Sequence, residues 1–377
     1  MRTPIGRKGA GSVSFSAIAS KVREGTPLSH EDGLELYQHP NLMEVGALAN
    51  EARERLHGDR TYFNRNLHIN PTNVCVSSCK LCSFSRRQAD AEGAFVLGID
   101  EAVDKLRARL AVGDQVTEVH VVGGLHDGLP FDYFTSLLAA LKTASPGISI
   151  KAFSAVEIFF FHRLYGMRIE EVLRCLQAAG LDSLPGGGAE ILSARVRNAI
   201  CPNKCTAEEW LEVHRTAHRL GIQSNCTMMF GTVETLAERI DHLLLLRQEQ
   251  AECAGFQAFI PLPFHPENNA LGDRPAPTAA EILRTIAVAR LVLHNVPHLK
   301  AYWVSLGLGT AQTALWFGAD DLDGTVSEEK NYHLAGARSP QALPGGEIAR
   351  LVRSAGRVPV ERDTFYRCVP QANGEVV

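Results

Sequence analysis

No stretch of this chain approaches the roughly eighteen apolar residues that a membrane-spanning helix needs. The greasiest segment, residues 156–161, is short and broken by Glu157. Nor is either charge in excess: 38 Lys and Arg against 42 Asp and Glu leave a formal net charge of -4. That balance offers no footprint for nucleic acid or an anionic membrane, and a small-molecule substrate is the expected partner. Nine cysteines, an odd number scattered along 377 residues, argue against a disulfide framework and for a reducing compartment. Cytoplasm is therefore the expected location. Internal repeats and low-complexity segments are also missing. Acids are missing from the start of the chain, where Arg2, Arg7, Lys8 and several serines precede Glu24. This stretch faintly resembles a transit peptide and is read as a flexible tail.

What remains is an ordinary globular composition, 45% hydrophobic and 21% charged, sufficient for a sizeable core. Ser29 stands three residues before Asp32 and ahead of the periodic apolar residues Leu34, Leu36, Leu42, Val45 and Leu48, a capped helical start. From Tyr62 onward, short apolar or β-branched runs alternate with helical stretches, the pattern of βαβ units around a parallel sheet. Strands are expected near 67–70, 118–122, 149–153, 181–184, 222–229, 256–262, 300–305 and 322–326. Helices are expected near 100–112, 131–143, 169–179, 207–220, 235–249, 279–294, 310–317 and 347–355. The fold class is α/β, a closed or nearly closed TIM-type (β/α) barrel. A tail and helical N-terminal extension would occupy 1–60, the barrel 61–330, and a loop, helix and tail 331–377. Chemistry in such barrels gathers just after the strands.

Just after the first of these strands the chain reads Asn70-Pro71-Thr72-Asn73-Val74-Cys75-Val76-Ser77-Ser78-Cys79-Lys80-Leu81-Cys82, a C-x3-C-x2-C spacing. Three thiolates turned to one centre select an iron–sulfur cluster or zinc. Three ligands do not complete a four-coordinate structural zinc site, though such a site, or plain core cysteines, is the alternative. The spacing resembles the signature of the radical S-adenosylmethionine (SAM) superfamily. That resemblance implies a 4Fe-4S cluster on Cys75, Cys79 and Cys82, whose remaining iron takes the amino and carboxylate groups of SAM. It also implies an external electron donor such as flavodoxin or ferredoxin. Leu81 departs from the aromatic residue the superfamily usually has there. Cys201 and Cys205 form a second close pair that cannot hold a cluster alone and is assigned no role; Cys175, Cys226, Cys253 and Cys368 are read as packing residues.

Other motifs fall after later strands. Gly123-Gly124-Leu125 resembles the superfamily's Gly-Gly-Glu motif for the SAM amino group, with Leu125 in place of the acid, so only the backbone role carries over; glycine permits that close approach. Pro185-Gly186-Gly187-Gly188-Ala189-Glu190 follows the fourth strand and is expected to open a helix, whose N-terminus favours anions. Ser183 and Glu190 are candidates for the SAM ribose or carboxylate. A phosphate cradle is disfavoured, because the segment lacks the Lys-Ser/Thr ending and the G-x-G-x-x-G order. Residues 227–234, with Met229, resemble the region that packs beside adenine.

The match then narrows. The wording Asn-Pro-Thr-Asn-Val-Cys, Ser-Leu-Pro-Gly-Gly-Gly-Ala-Glu-Ile, Phe-Ile-Pro-Leu-Pro-Phe-His-Pro-Glu-Asn and Gly-Ala-Asp-Asp-Leu-Asp-Gly-Thr-Val resembles the aminodeoxyfutalosine synthase family of the futalosine route to menaquinone, from about Leu28 to Tyr366. The dehypoxanthine futalosine cyclase family is the nearest alternative; Asn70-Pro71 and Asp320-Asp321-Leu322-Asp323 favour the synthases. A zinc-stabilised binding protein is the alternative from another class. The resemblance implies that SAM is consumed, its adenosyl radical adding to 3-[(1-carboxyvinyl)oxy]benzoate. A doubly anionic substrate needs cationic or amide partners. Arg86, Arg197 and His68 are candidate substrate-binding residues, and His265, Asp320 and Asp323 candidate catalytic ones. Each has a plainer reading as a solvated base, a core histidine or a loop and helix-cap residue.

Overall fold

The computed structural model describes residues 14–113 and 115–369. Among the described residues there are ten short strands: β1 (Arg60–Asn64), β2 (Asn66–Ile69), β3 (Glu118–Val121), β4 (Ser149–Ala152), β5 (Ser183–Leu184), β6 (Gln223–Phe230), β7 (Phe256–Pro263), β8 (His298–Leu299), β9 (Asp321–Gly324) and β10 (Val358–Glu361). Strands β2 to β8 form one seven-stranded sheet in sequential order, every pair parallel. Their near-continuous burial is what a parallel sheet covered by crossover helices requires. The second sheet, in the order β10-β1-β9, stands beside the open edges. It is linked to the first by single bridges, Lys300 to Asp321 on one side and Leu67 to Ser327 on the other. The barrel is thus a seven-stranded sheet that β9, the eighth expected strand, nearly closes through isolated bridges.

Six of the eight predicted strands are found nearly whole, within about two residues of their expected starts and ends. Of 181–184 only 183–184 pair as strand, and in place of 300–305 the pairing residues are 298–299. The run Tyr302-Trp303-Val304 reads as strand by propensity, yet Trp303–Leu306 is one helical turn. Helix Ala155–Tyr165 was not anticipated; it starts with a capping box in which Ser154 and Glu157 satisfy each other's backbone N–H groups. At the N-terminus the expected tail gives way at Phe15–Glu24 to a helix, capped by Ser14 and closed by left-handed Gly25, with Ile18 and Ala19 buried. Lys21 holds the buried Asp32 at 2.7 Å and so ties this helix to His30–Gln38. Residues 1–13 lie outside the described residues.

The N-terminal helices clad the barrel: Leu42–His57 packs against Ala279–Val292, and His30–Gln38 against Leu236–Glu252. Gly33 allows the second contact, because a Cβ there would meet Ile240 at 2.6 Å, and Gly46 makes room for Phe317, which a Cβ would meet at 2.5 Å. Among the described residues no helix is long and apolar enough to cross a membrane.

Candidate active site

At the C-terminal ends of the strands lies a cavity of about 340 Å³. Cys75, Cys79 and Cys82 all line it, and none is in a disulfide. The loop carrying them is strapped by the side chains of its own motif. Asn70 Nδ2 donates to Val122 O at 2.8 Å and Thr72 Oγ1 to Phe95 O at 2.7 Å. Asn73 donates to Gly93 O and accepts from Phe95 N. The backbone of Cys75 donates to Arg86 O, and that of Val76 to Leu125 O. The wording Asn-Pro-Thr-Asn therefore shapes the loop.

Among the described residues the one set of three metal-type donors lying mutually within 4.8 Å is His57, His298 and Asp320. Cys75, Cys79 and Cys82 do not form such a set. Bonds of about 2.3 Å to a single zinc would draw sulfurs closer together, whereas a multi-iron cluster spans a wider triangle. The donor set fits an iron–sulfur cluster.

Around the thiols the cavity wall is built from strand ends. After β3, Gly123 and Gly124 reach the wall, and the Gly123 N–H donates to Glu157 Oε1 at 2.9 Å. The other oxygen of Glu157 accepts from Ser154 N and Oγ, both at 2.7 Å. Burial pushes the Glu157 carboxyl up to about 7. After β5 the glycines of 186–188 line the cavity, and a Cβ on Gly186 would meet the backbone of Asn225 at 2.7 Å. Glu190, in a left-handed conformation (φ 46), is buried and paired with Lys204 Nζ at 2.5 Å. Burial opposes both charges, but the Lys204 ammonium holds the Glu190 carboxyl below its usual range, and Cys79 and Glu190 together hold Lys204 well above its own. Met229 lines the wall and donates its N–H to Glu190 O.

His68, His265 and Asp323 also face this cavity. His265 Nε2 lies 2.8 Å from Ser305 O, and Asp323 accepts from Lys300 Nζ at 2.8 Å.

Four expected site residues do not line it. The Arg86 guanidinium is turned onto the carbonyls of Ser83, Phe84, Ser85 and Glu92, where it braces the cluster loop. Arg197 is buried against the carbonyls of Gly188, Ala189 and Cys205, which corrects its reading as a substrate anchor. Ser183 sits inside β5, paired with Lys151 and Gln223, below the cavity. Asp320 precedes β9, at the opposite end of the strand from the cavity, and is fully buried. It binds Arg290, His298 Nδ1 at 2.6 Å and Leu299 N at 2.7 Å, so its surroundings are structural. The glycine-rich segment does not open a helix either; the next helix starts at Ala194 behind the cap Ser193.

Residues missed from the sequence include Ser154, Glu157, His120, Lys204, Asn225, Tyr302, Glu329 and Tyr332, all on the cavity wall. The Ser154-x-x-Glu157 spacing directly after a predicted strand was the available signal for the first two. Lys204 had none. Cys201 and Cys205 are buried thiols that burial pushes up to about 12 and about 11, in keeping with packing.

Residues 69–246 match the family model described as the radical SAM superfamily, and 253–373 the CofH/MqnC C-terminal region. The chain is 47% identical to the aminodeoxyfutalosine synthase of Thermus thermophilus, over 93% of this chain and 94% of that one. It is 43% identical to the enzyme of the same name from Streptomyces coelicolor, over 95% and 94%. The chain belongs to the aminodeoxyfutalosine synthase family of radical SAM enzymes. Methylornithine synthase shares the fold, with a TM-score of 0.73 at 16% identity over 91% of this chain and 97% of that one. Cys75, Cys79 and Cys82 share the cavity at the barrel mouth with Glu157, Glu190 and Lys204.

Proposed function

We propose that this chain forms 6-amino-6-deoxyfutalosine from SAM and 3-[(1-carboxyvinyl)oxy]benzoate, with Cys75, Cys79 and Cys82 holding a 4Fe-4S cluster. When bound, the cluster supplies one electron to the SAM sulfonium and leaves one iron for the amino and carboxylate groups of SAM. The adenosyl radical would add to the terminal carbon of the enolpyruvyl double bond, the aryl group would migrate from oxygen to carbon, and the carboxylate would leave as carbon dioxide or bicarbonate, its surplus electron passing back to the oxidised cluster. Flavodoxin or ferredoxin is the proposed electron donor and cytoplasm the proposed location.

The observation that carries this reading is the shared cavity, in which three free thiols meet a wall of backbone amides and buried acid–base groups. Gly123, Gly124, Glu190 and Met229 are proposed to contact SAM, with Ser154 at the wall in place of Ser183. The Glu157 carboxyl fixes the Gly123 amide and so the height of the glycine pair. Lys204 offers the cation for a SAM carboxylate once it shares its charge with Glu190. His265 and Asp323 are proposed to border the reacting substrate. The enclosing walls orient the two reactants and exclude water, the protein's main share of a cofactor-driven reaction.

The test is anaerobic reconstitution with iron and sulfide, followed by SAM, dithionite and the enolpyruvyl benzoate. An adenine-containing adduct of the substrate, with release of methionine, is expected. Formation of 5′-deoxyadenosine with no adduct would overturn the addition reaction in favour of hydrogen abstraction, and zinc without sulfide would overturn the cluster.

A further inference from the structure

On adjacent strands, His68 of β2 and His120 of β3 are register partners. Their rings stack with centroids 4.6 Å apart and planes 14° from parallel, and both line the cavity. His68 is 9% exposed, yet its Nε2 has no hydrogen-bond partner. A buried polar atom left unpaired costs free energy, and here it belongs to a ring that lines the cavity.

The charged groups around the pair already have partners of their own. Asp323 is held by Lys300 and Glu118 by Lys151, each at 2.8 Å, and Glu329 by His333 at 3.1 Å. Each of these three acids is thus already paired, and burial keeps both imidazoles below their ordinary pKa, His120 at about 3. Two neutral rings, each carrying one N–H, thus border the cavity. Two imidazoles side by side can supply one donor to each oxygen of one carboxylate. They also stand below the mouth: each is the third residue of its four-residue strand, with the thiol loop and Gly123 following at the strand ends.

Resting on the proposed reaction, we infer that His68 and His120 form the subsite for the ring carboxylate of the enolpyruvyl benzoate. Bond formation takes place at the mouth, beside the thiols, so the enolpyruvyl end belongs there and the ring carboxylate, remote from the chemistry, reaches the floor. Binding energy gathered at that distance sets the position of the reacting double bond. The two histidines are binding and positioning residues.

The test is a cycle that removes either partner or both, read by calorimetric binding to the cluster-loaded, SAM-bound protein without reductant. His68→Phe and His120→Phe keep a stacking ring and remove the donors; 2-phenoxyacrylate is the ligand without the ring carboxylate. Each Phe variant should bind the enolpyruvyl benzoate roughly ten- to a hundredfold more weakly and 2-phenoxyacrylate as the parent protein does. His68→Gln should recover part of the loss, and SAM affinity should not move. Equal affinity of parent and variants for the benzoate, or equal weakening towards both ligands, overturns the subsite. Should a Phe variant fail to take up the cluster, the Gln variant and an Asn variant at 120 carry the same comparison. Failure of the proposed reaction is separately visible, because the parent protein would then make no adenine adduct whatever the variants bind.

Discussion

A Cβ on Gly124 would stand 2.2 Å from the carbonyl oxygen of Val74, so the loop that carries Cys75 rests directly on the glycine pair after β3. Gly123 is nearly as tight, with Thr72 O at 2.9 Å. The pair thus serves the cluster loop as much as any ligand. Gly124→Ala should push that loop away and lower the iron and sulfide bound after anaerobic reconstitution by half or more, with a loss of visible absorbance to match. Full cluster content in this variant would mean that the loop yields freely.

Lys204 and Glu190 form a buried ion pair on the cavity wall. Removing one partner of such a pair leaves an uncompensated charge and costs about 3 to 5 kcal/mol, whereas removing both is much milder. Lys204→Met should therefore lower the denaturant midpoint strongly and weaken SAM binding. Lys204→Met combined with Glu190→Gln should regain most of the stability without regaining SAM affinity. Equal midpoints for the single and double variants would show that the pair is not coupled.

The parts that the sequence disclosed are those whose signals are local. Period-2 and period-3.6 patterns located six strands well, and the C-x3-C-x2-C spacing located the three thiols. Strand β10 escaped because Val-Pro-Val-Glu contains Pro359, which counts against a strand, yet an edge strand tolerates proline, and β10 lies at the edge of its sheet. Arg86 and Arg197 were chosen for charge alone. Which carbonyls a guanidinium meets depends on loops distant in space, and Arg197 finds its partners in two different turns, 188–189 and 205. His120 was overlooked for the same reason. Its meaning comes from its neighbour across the sheet, not from its own segment.

His333 holds Glu329 on the cavity wall, its Nδ1 3.1 Å from the carboxylate, and the hydrogen bond to Glu329 raises the imidazole to about 9. A histidine raised in this way stabilises the fold fully below its unfolded pKa of about 6.5, and the contribution fades as pH rises through about 9. Partial exposure limits it to roughly 1 kcal/mol. Hydrogen exchange of the neighbouring helix Asn331–Leu334 should accelerate beyond its intrinsic pH dependence between pH 7 and 10. His333→Gln should be fast already at pH 7 and lack the extra dependence. An unchanged profile in the variant would remove His333 as its source.

Asp320 and Asp323, two residues of one motif, should part company under mutation. Asp320 is buried with Arg290, His298 and His57 around it; burial pushes its carboxyl up, but these partners hold it well below the usual range. Asp320→Asn leaves the Arg290 guanidinium, itself 2% exposed, without its counter-charge. The expected cost is about 3 to 5 kcal/mol of stability, with kcat/KM of the folded fraction changed less than about twofold. Asp323 borders the cavity and holds Lys300 beside His68 and His120, so Asp323→Asn should lower kcat/KM at least about tenfold. Urea midpoints and steady-state kinetics on both variants separate the cases. A kinetic defect in Asp320→Asn at an unchanged midpoint would return that residue to the active site.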